Sequence, residues 1–266
     1  MDFLNYWDGS WKIAKSLRYW DGAKWSKKHA FRRWAGAAWY PIETRQPAVL
    51  TGDSFTTQAL WHFDEGTGNS IEDASPNNIA LNRALYAEAP TWNTGYYYGA
   101  LYFNDDRLRA SHVTAFKFVN SDKFQIDVIF KFTGSAPAVN RVFCGYRYGG
   151  TGWLWVGTES STGKLHFSLG DTNGGNDSET GTTNVYDAAW YKATFIWNNR
   201  ILQVYLNGNL EGSHTSSLTG NFNTGEYLDI GWYYIDVEAY DYYALDQCYL
   251  DEIRILKGNI CAWGGI

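Results

Sequence analysis

Phe124-Gln-Ile126-Asp-Val128-Ile-Phe130-Lys-Phe132 carries an apolar residue at every second position. Side chains in a strand alternate between faces, so this segment predicts a β-strand with five apolar groups on one side. Further strands are expected at Ala59–Phe63, Ala100–Asn104, Trp153–Thr158, Lys164–Leu169, Trp190–Trp197, Leu202–Leu206 and Tyr249–Leu256. Asn207-Gly208 supplies residues that tolerate φ > 0, the signature of a two-residue hairpin turn. No convincing amphipathic helix separates these runs. Many short strands parted by Gly/Asn/Ser turns predict an all-β sandwich or jelly roll, and about 215 residues suffice for a substantial core.

The front of the chain reads differently. Tyr6-Trp7-Asp8-Gly9-Ser10-Trp11 returns as Tyr19-Trp20-Asp21-Gly22-Ala23-Lys24-Trp25, and again, worn, as Arg33-Trp34-Ala35-Gly36-Ala37-Ala38-Trp39. Each unit predicts a strand, a tight turn and a returning strand. Repeats this short cannot bury an apolar face alone, so they should stack as a small β-meander. Trp7, Trp11, Trp20, Trp25, Trp34 and Trp39 would form its packed layer, or else shelves for sugar rings. Residues 1–45 hold nine Lys/Arg and four Asp/Glu, a net of +5; the remainder carries −11, within a total of −6. That asymmetry predicts two modules with different partners. Pro41, Pro47 and Gly52 mark the break, giving a repeat module at 1–45, a linker at 46–56 and a large β-domain at 57–266. The basic charges interleave with strand positions, so an acidic protein surface is a better-matched partner for the front module than nucleic acid.

No apolar segment follows Met1 as in a secretory signal, and no run reaches transmembrane length. Cys144, Cys248 and Cys261 are odd in number and lack CxxC spacing; Cys144 and Cys248 read as buried hydrophobes. Five His are scattered, and neither a Gly-x-Ser-x-Gly elbow nor a phosphate loop occurs. From Ile201 to Ile253 there is no Lys or Arg but nine Asp/Glu, a density that suggests a hard cation such as Ca²⁺. If Ile253 and Ile255 face the core, alternation turns Asp251 inward as well, where a lone carboxylate is costly. It would then bind a cation or cap backbone amides. The same tail is rich in rings, among them Trp232, Tyr233, Tyr234 and Tyr242. Alternation cannot bury neighbours such as Tyr233 and Tyr234 together, so some are left for a sugar or for a protein interface. Tyr96-Tyr97-Tyr98 poses the same choice, and the Gly-rich loop Asp171–Gly181 could rim such a site.

"ALWHFDEGTGNSIEDASPNN" (59–78), "GALYFN", "FQIDVIFKFTG", "WYKATFIWNNRILQVYLNGNLEG" and "YLDEIRILKG" occur in the order seen in concanavalin A-like, laminin-G-like jelly rolls. The resemblance spans roughly Thr57 to Gly258. It implies a structural calcium shared by Asp73 and Asp251, although Pro76 stands where those domains usually have Gly. Glucanases of this fold carry a Glu-x-Asp-x-(x)-Glu strand; Asp236-Val-Glu238-Ala-Tyr-Asp241 has another order and spacing, so no enzyme is expected. The front repeat resembles the short Trp-x-Gly-x-Trp repeats of structural proteins in tailed bacteriophages. Together the two resemblances imply a virion protein made in the host cytoplasm, a fibre, tail-tip or capsid-surface component and a homo-oligomer. Its repeat would bind other virion proteins, and its lectin-like jelly roll would face host-surface glycans. Two alternatives are a purely architectural virion protein and a glycan-active enzyme with an unrecognised site.

Overall fold

The computed structural model describes residues 56–83, 89–110, 114–146, 152–222, 227–236 and 241–258, together with the strands of three short hairpins between residues 6 and 42. Contacts divide the chain into two compact units, Met1–Thr51 and Gly52–Ile266. The first contains β1 (Tyr6–Trp7), β2 (Trp11–Lys12), β3 (Arg18–Trp20), β4 (Trp25–Lys27), β5 (Phe31–Trp34) and β6 (Trp39–Ile42). These pair as hairpins in which Trp7 stands opposite Trp11, Trp20 opposite Trp25 and Trp34 opposite Trp39. The packing of those six rings lies outside the described residues.

The second unit runs through β7 (Thr56–Trp61), β8 (Ser70–Ile71), β9 (Leu81–Asn82), β10 (Thr91–Thr94), β11 (Gly99–Phe103), β12 (Leu108–Ala110), β13 (Phe124–Phe132), β14 (Arg141–Tyr146) and β15 (Trp153–Thr158). It continues as β16 (Lys164–Gly170), β17 (Asn176–Asn184), β18 (Tyr191–Asn198), β19 (Ile201–Leu206), β20 (Asn209–Thr215), β21 (Leu228–Ile230), β22 (Trp232–Asp236), β23 (Asp241–Ala244) and β24 (Cys248–Lys257). One sheet has the order β10-β11-β24-β13-β18-β19-β20, with β7 also paired to β24; the other is β12-β21-β14-β15-β16-β17. Two sheets facing across one core make the all-β sandwich that the alternation predicts.

β13 is its central plank. Phe124, Ile126, Val128, Phe130 and Phe132 all lie in the core. Phe130 meets Phe143 at 4.6 Å between ring centroids, and Phe124 meets Phe167 at 6.2 Å, which ties the two sheets together. Each such ring, fully buried, contributes on the order of 1.5–3 kcal/mol. Cys144 and Cys248 are buried in this core, and burial pushes the Cys144 thiol up to about 12, so both act as hydrophobes. Asn207 and Gly208 adopt φ of 49° and 81°, closing β19–β20 as expected. Asn199 and Arg200 make a second turn of this kind, at 50° and 67°, with no glycine. Arg200 is held there by its guanidinium, whose Nη2 donates to the Ser216 carbonyl at 2.9 Å.

Two expectations are corrected. The first strand stops at Trp61, because Phe63 takes φ of 53° and leaves the sheet. Asp171–Gly181 is not a loop throughout: β17 begins at Asn176. The bend before it is organised by Asp171, whose carboxylate accepts from the backbone N–H of Asn173, Gly175, Thr219 and Gly220 at 2.7–2.9 Å. Burial raises this carboxyl, but those four amides more than offset it and hold it below its usual value. A depressed carboxyl contributes stability above its unfolded pKa of about 3.9 and loses it as pH falls through the folded value. Asp171→Asn should therefore flatten the acid limb of a pH–melting curve, and an unchanged limb would remove Asp171 from that role.

Candidate functional site

The Asp251 site lies where β24 changes partner. Leu250 pairs with Leu101 of β11, whereas Ile253 pairs with Trp61 of β7. Against β13 the register shifts at the same place, between Ile129 and Phe130, so Asp251 is the extra residue of a β-bulge. Its carboxylate is fully buried, and Oδ2 accepts from the Tyr97 N–H at 2.9 Å. The turn joining β10 to β11, which carries Tyr96, Tyr97 and Tyr98, is thereby pinned to the sheet. Asp73 is bridged to Trp61 across from Ile253. Its Oδ1 accepts from Leu60 N and Ser75 N at 2.9 and 2.8 Å, and its Oδ2 from Ile79 N and Ser75 Oγ at 2.8 and 2.7 Å. Both Asp73 oxygens thus face N–H and O–H donors, a poor setting for a cation. Among the described residues no three His, Cys, Asp or Glu side chains converge to hold a metal ion.

Three acids of this acidic tail have partners on distant strands or turns. Asp229 is gripped by Arg109 at 2.6 and 2.7 Å, Asp246 by Arg141 at 3.1 Å, and Glu252 by His62 at 2.9 Å.

Of the rings expected to meet a ligand, the β22–β23 ribbon brings several onto the outer side of the six-stranded sheet. Tyr233 is 4% exposed, packed with Val142 and Trp155. Tyr243 stacks on Tyr233 at 6.3 Å and meets Trp155 edge-on at 5.9 Å. His166 covers the Trp155 ring at 4.8 Å; burial lowers its pKa to about 4, so it is a neutral ring at physiological pH. Tyr233 has spent its surface on packing and offers no face to a ligand. Trp232 is half-buried with the Arg107 guanidinium 5.4 Å from its ring centre. Tyr234 and Tyr242 are partners in register, and their side chains lie outside the described residues.

A different set of rings forms a continuous strip on the outer face of the eight-stranded sheet. Tyr102 and Tyr249, cross-strand partners, lie 4.8 Å apart; Tyr249 meets Trp190 at 6.2 Å, Trp190 meets Tyr96 at 6.1 Å, and Tyr96 meets Tyr97 at 4.9 Å. Tyr96 is 49% exposed and the others are half-buried. Two lysines are set among them. Lys131 Nζ sits 4.6 and 5.1 Å from the Tyr249 and Trp190 ring centres. Lys192 Nζ lies 5.7 and 5.5 Å from those of Tyr96 and Tyr97 and donates to the Tyr97 hydroxyl at 2.9 Å. Cation–π contact holds the ammonium groups at the level of the rings. Beneath Lys192 a water-sized cavity is lined by Asp127, Thr194 and Glu252. Sequence reading flagged Tyr96–Tyr98 and missed Tyr102, Trp190, Tyr249 and both lysines. The available signal was parity: Leu250 faces the core, so Tyr249 must face out. Chemically, the strip can stack on flat apolar faces and donate hydrogen bonds.

Residues 104–259 match the family model of the laminin-G-like group of the concanavalin A-like lectin/glucanases superfamily. The chain belongs to this superfamily. No curated protein sequence matches it. Among solved structures, this lectin/glucanase-type sandwich is similar to the binding domain of Paraclostridial Mosquitocidal Protein 1, with TM-score 0.63 and 11% identity over 78% of this chain and 50% of that one. It is likewise similar to the botulinum neurotoxin serotype G binding domain, with TM-score 0.60 and 13% identity over 78% and 49%. The chain therefore spans about half the length of those binding domains. Domain 4 of an extracellular arabinanase from Geobacillus stearothermophilus, solved in complex with arabinotriose, is covered over 95% of its length, at TM-score 0.57, 16% identity and 78% of this chain. At these identities the likeness is one of fold. No helix among the described residues is long and apolar enough to cross a membrane.

Proposed function

We propose that Gly52–Ile266 is a carbohydrate-binding module and that the strip from Tyr102 through Tyr249, Trp190 and Tyr96 to Tyr97 is its binding face. The carrying observation is the strip itself: five linked rings on the outside of a sheet, too exposed to be core and held in place from below. Asp251 fixes the turn bearing Tyr96 and Tyr97, and strand pairing fixes Tyr102 and Tyr249. Rings positioned before binding lose little conformational entropy when a sugar stacks on them. The arabinotriose complex of the fold-related arabinanase domain supports the reading. Trp190→Ala is expected to weaken binding to a positive glycan ~10-fold or more, about 1.4 kcal/mol, with an unchanged melting temperature. A wild-type protein silent on a broad glycan array, or a Trp190→Ala protein that binds like wild type, would reject the reading.

The module is presented by the front repeat, in this proposal, as part of a phage virion structural protein. The tandem Trp motif and its net positive charge support attachment to neighbouring, acidic virion proteins. Trp20→Ala should release the protein from its particle and leave glycan affinity unchanged; loss of glycan affinity with attachment retained would reverse the two roles. A purely architectural role would instead appear as a strip that binds another virion protein and no glycan.

A calcium ion at Asp73 and Asp251 remains a separate proposal from the resemblance, and it must compete with the four donors on Asp73. A melting temperature higher in millimolar calcium than in EDTA, with the difference abolished by Asp251→Ala, supports the ion. Equal melts leave both carboxylates as caps.

A further inference from the structure

Resting on the carbohydrate-binding reading, we infer that the strip selects acidic glycans, with a sugar carboxylate received by Lys131 and Lys192. Sites for neutral sugars need carboxylate or carbonyl acceptors for the ligand's hydroxyl protons. Three carboxylates near this strip already accept from protein donors. Glu252 is bonded to His62, Asp246 to Arg141, and Asp187 to the Tyr191 hydroxyl and the Ala189 amide. Beside the rings the face presents two ammonium groups, which only donate, and tyrosine hydroxyls, which donate or accept.

Lys131 is the informative residue. It is half-buried between Tyr249 and Trp190, and among the described residues no carboxylate lies within salt-bridge distance of it. In a chain of net charge −6, a lysine held against two rings with no acid beside it is unusual placement. Tyr249 pairs with Lys131 across β24 and β13, and Ile129, two residues along β13, pairs with Lys192. The two lysines are thus diagonal neighbours on one face, close enough to share one anionic group flanked by stacking rings. A charge-assisted bond to a carboxylate is roughly twice as strong as a neutral one.

The overall negative charge sharpens the test. If the local lysines govern the encounter, affinity falls as salt rises; if the whole-chain charge governs it, salt relieves repulsion and affinity for an anion rises. Binding is measured with the full chain against oligogalacturonate and sialylated oligosaccharides, and against the same compounds with their carboxyls reduced to alcohols. Expected are a loss of at least tenfold on carboxyl reduction and a fall in affinity between 50 and 500 mM salt. Lys131→Gln should lower the ratio of acidic-ligand to reduced-ligand affinity by a comparable factor and melt as wild type does. Equal binding of acidic and reduced ligands, or an unaffected Lys131→Gln, overturns the acidic specificity while leaving a carbohydrate-binding strip. Binding of poly-glutamate with no glycan of either kind overturns both.

Discussion

Asp73→Ala is expected to cost the domain ~3–5 kcal/mol, a loss readable as a melting temperature lower by roughly 10 °C. Three backbone amides and the Ser75 hydroxyl converge on this one carboxylate, from Leu60 on β7 and from the turn that follows Asp73. Asp73 and Leu60 are buried, so the donors they share cannot all turn to water. Each buried donor left without an acceptor costs about 1–3 kcal/mol, and partial rehydration brings the total below the simple multiple. Asp73→Asn keeps one acceptor oxygen and places an amide N–H₂ against donors, so its loss should be intermediate. Urea denaturation of the full chain, following the transition of the large domain, measures both. A loss under 1 kcal/mol for Asp73→Ala would mean that solvent reaches these amides and that the carboxylate is dispensable as a cap. The same variant bears on calcium, since a cap lost in the presence and absence of the ion alike owes nothing to it.

The parts of this fold legible in the sequence are those set by local periodicity. Phe124–Phe132 announces its inward face by alternation, and Asn207-Gly208 announces its turn by residue type. Counting back from Ile253 and Ile255 turns Asp251 inward, and its side chain is buried. What counting could not reveal is the bulge at that residue and its task of holding the Tyr97 amide, because the partner lies 154 residues away. The turn at Asn199-Arg200 escaped because an arginine seldom accepts φ > 0; it does so here with the Ser216 carbonyl as anchor. The acidic tail looked uncompensated for the same reason that the strip was invisible. Arg109, Arg141 and His62 reach it from distant strands, just as Tyr96, Tyr102, Trp190 and Tyr249 converge from separate stretches of chain. Conversely, a local crowd of aromatics at 232–243 suggested a binding shelf, and the structure uses Tyr233 as packing against Trp155. Aromatic density in sequence marks where rings are made, and sheet register decides which of them meet solvent.

Farther along the same strands and on the same outer face as the strip, polar side chains are buried with one another. Gln125, Asp127, Thr194 and Arg254 are buried on the outer side of the sheet whose inner side is Phe124, Ile126, Val128 and Phe130. Arg254 grips Asp127 Oδ2 through Nε at 2.9 Å and Nη2 at 2.7 Å, while Thr194 Oγ1 and Gln125 Nε2 donate to Oδ1 at 2.7 and 2.8 Å. Arg254, Asp127 and Thr194 together link three adjacent strands, β24, β13 and β18, and Asp127 and Thr194 line the cavity under Lys192. Fixing those strands in register fixes the spacing of Tyr249, Lys131 and Lys192 farther along them.

Arg254→Met should therefore destabilise the domain strongly at pH 8, by ~3–5 kcal/mol, because it leaves Asp127 charged, desolvated and without its cation. Burial already raises the Asp127 carboxyl above its ordinary value, against the opposing pull of Arg254, Thr194 and Gln125. Removing the arginine raises it further. A carboxyl whose folded pKa lies above its unfolded value of about 3.9 contributes stability that is fully present below that value and is lost as pH rises through the folded one. Arg254→Met should accordingly regain stability on going from pH 8 to pH 5, the reverse of the trend expected from Asp171. Asp127→Asn in the same background removes the charge outright and should restore most of the loss at pH 8, with the pH dependence gone. Denaturation midpoints of the two variants at both pH values decide the matter. If Arg254→Met is equally weak at pH 5 and pH 8, and Asp127→Asn fails to rescue it, the damage is one of packing, and the buried ion pair does not set the register of the strands that carry the binding strip.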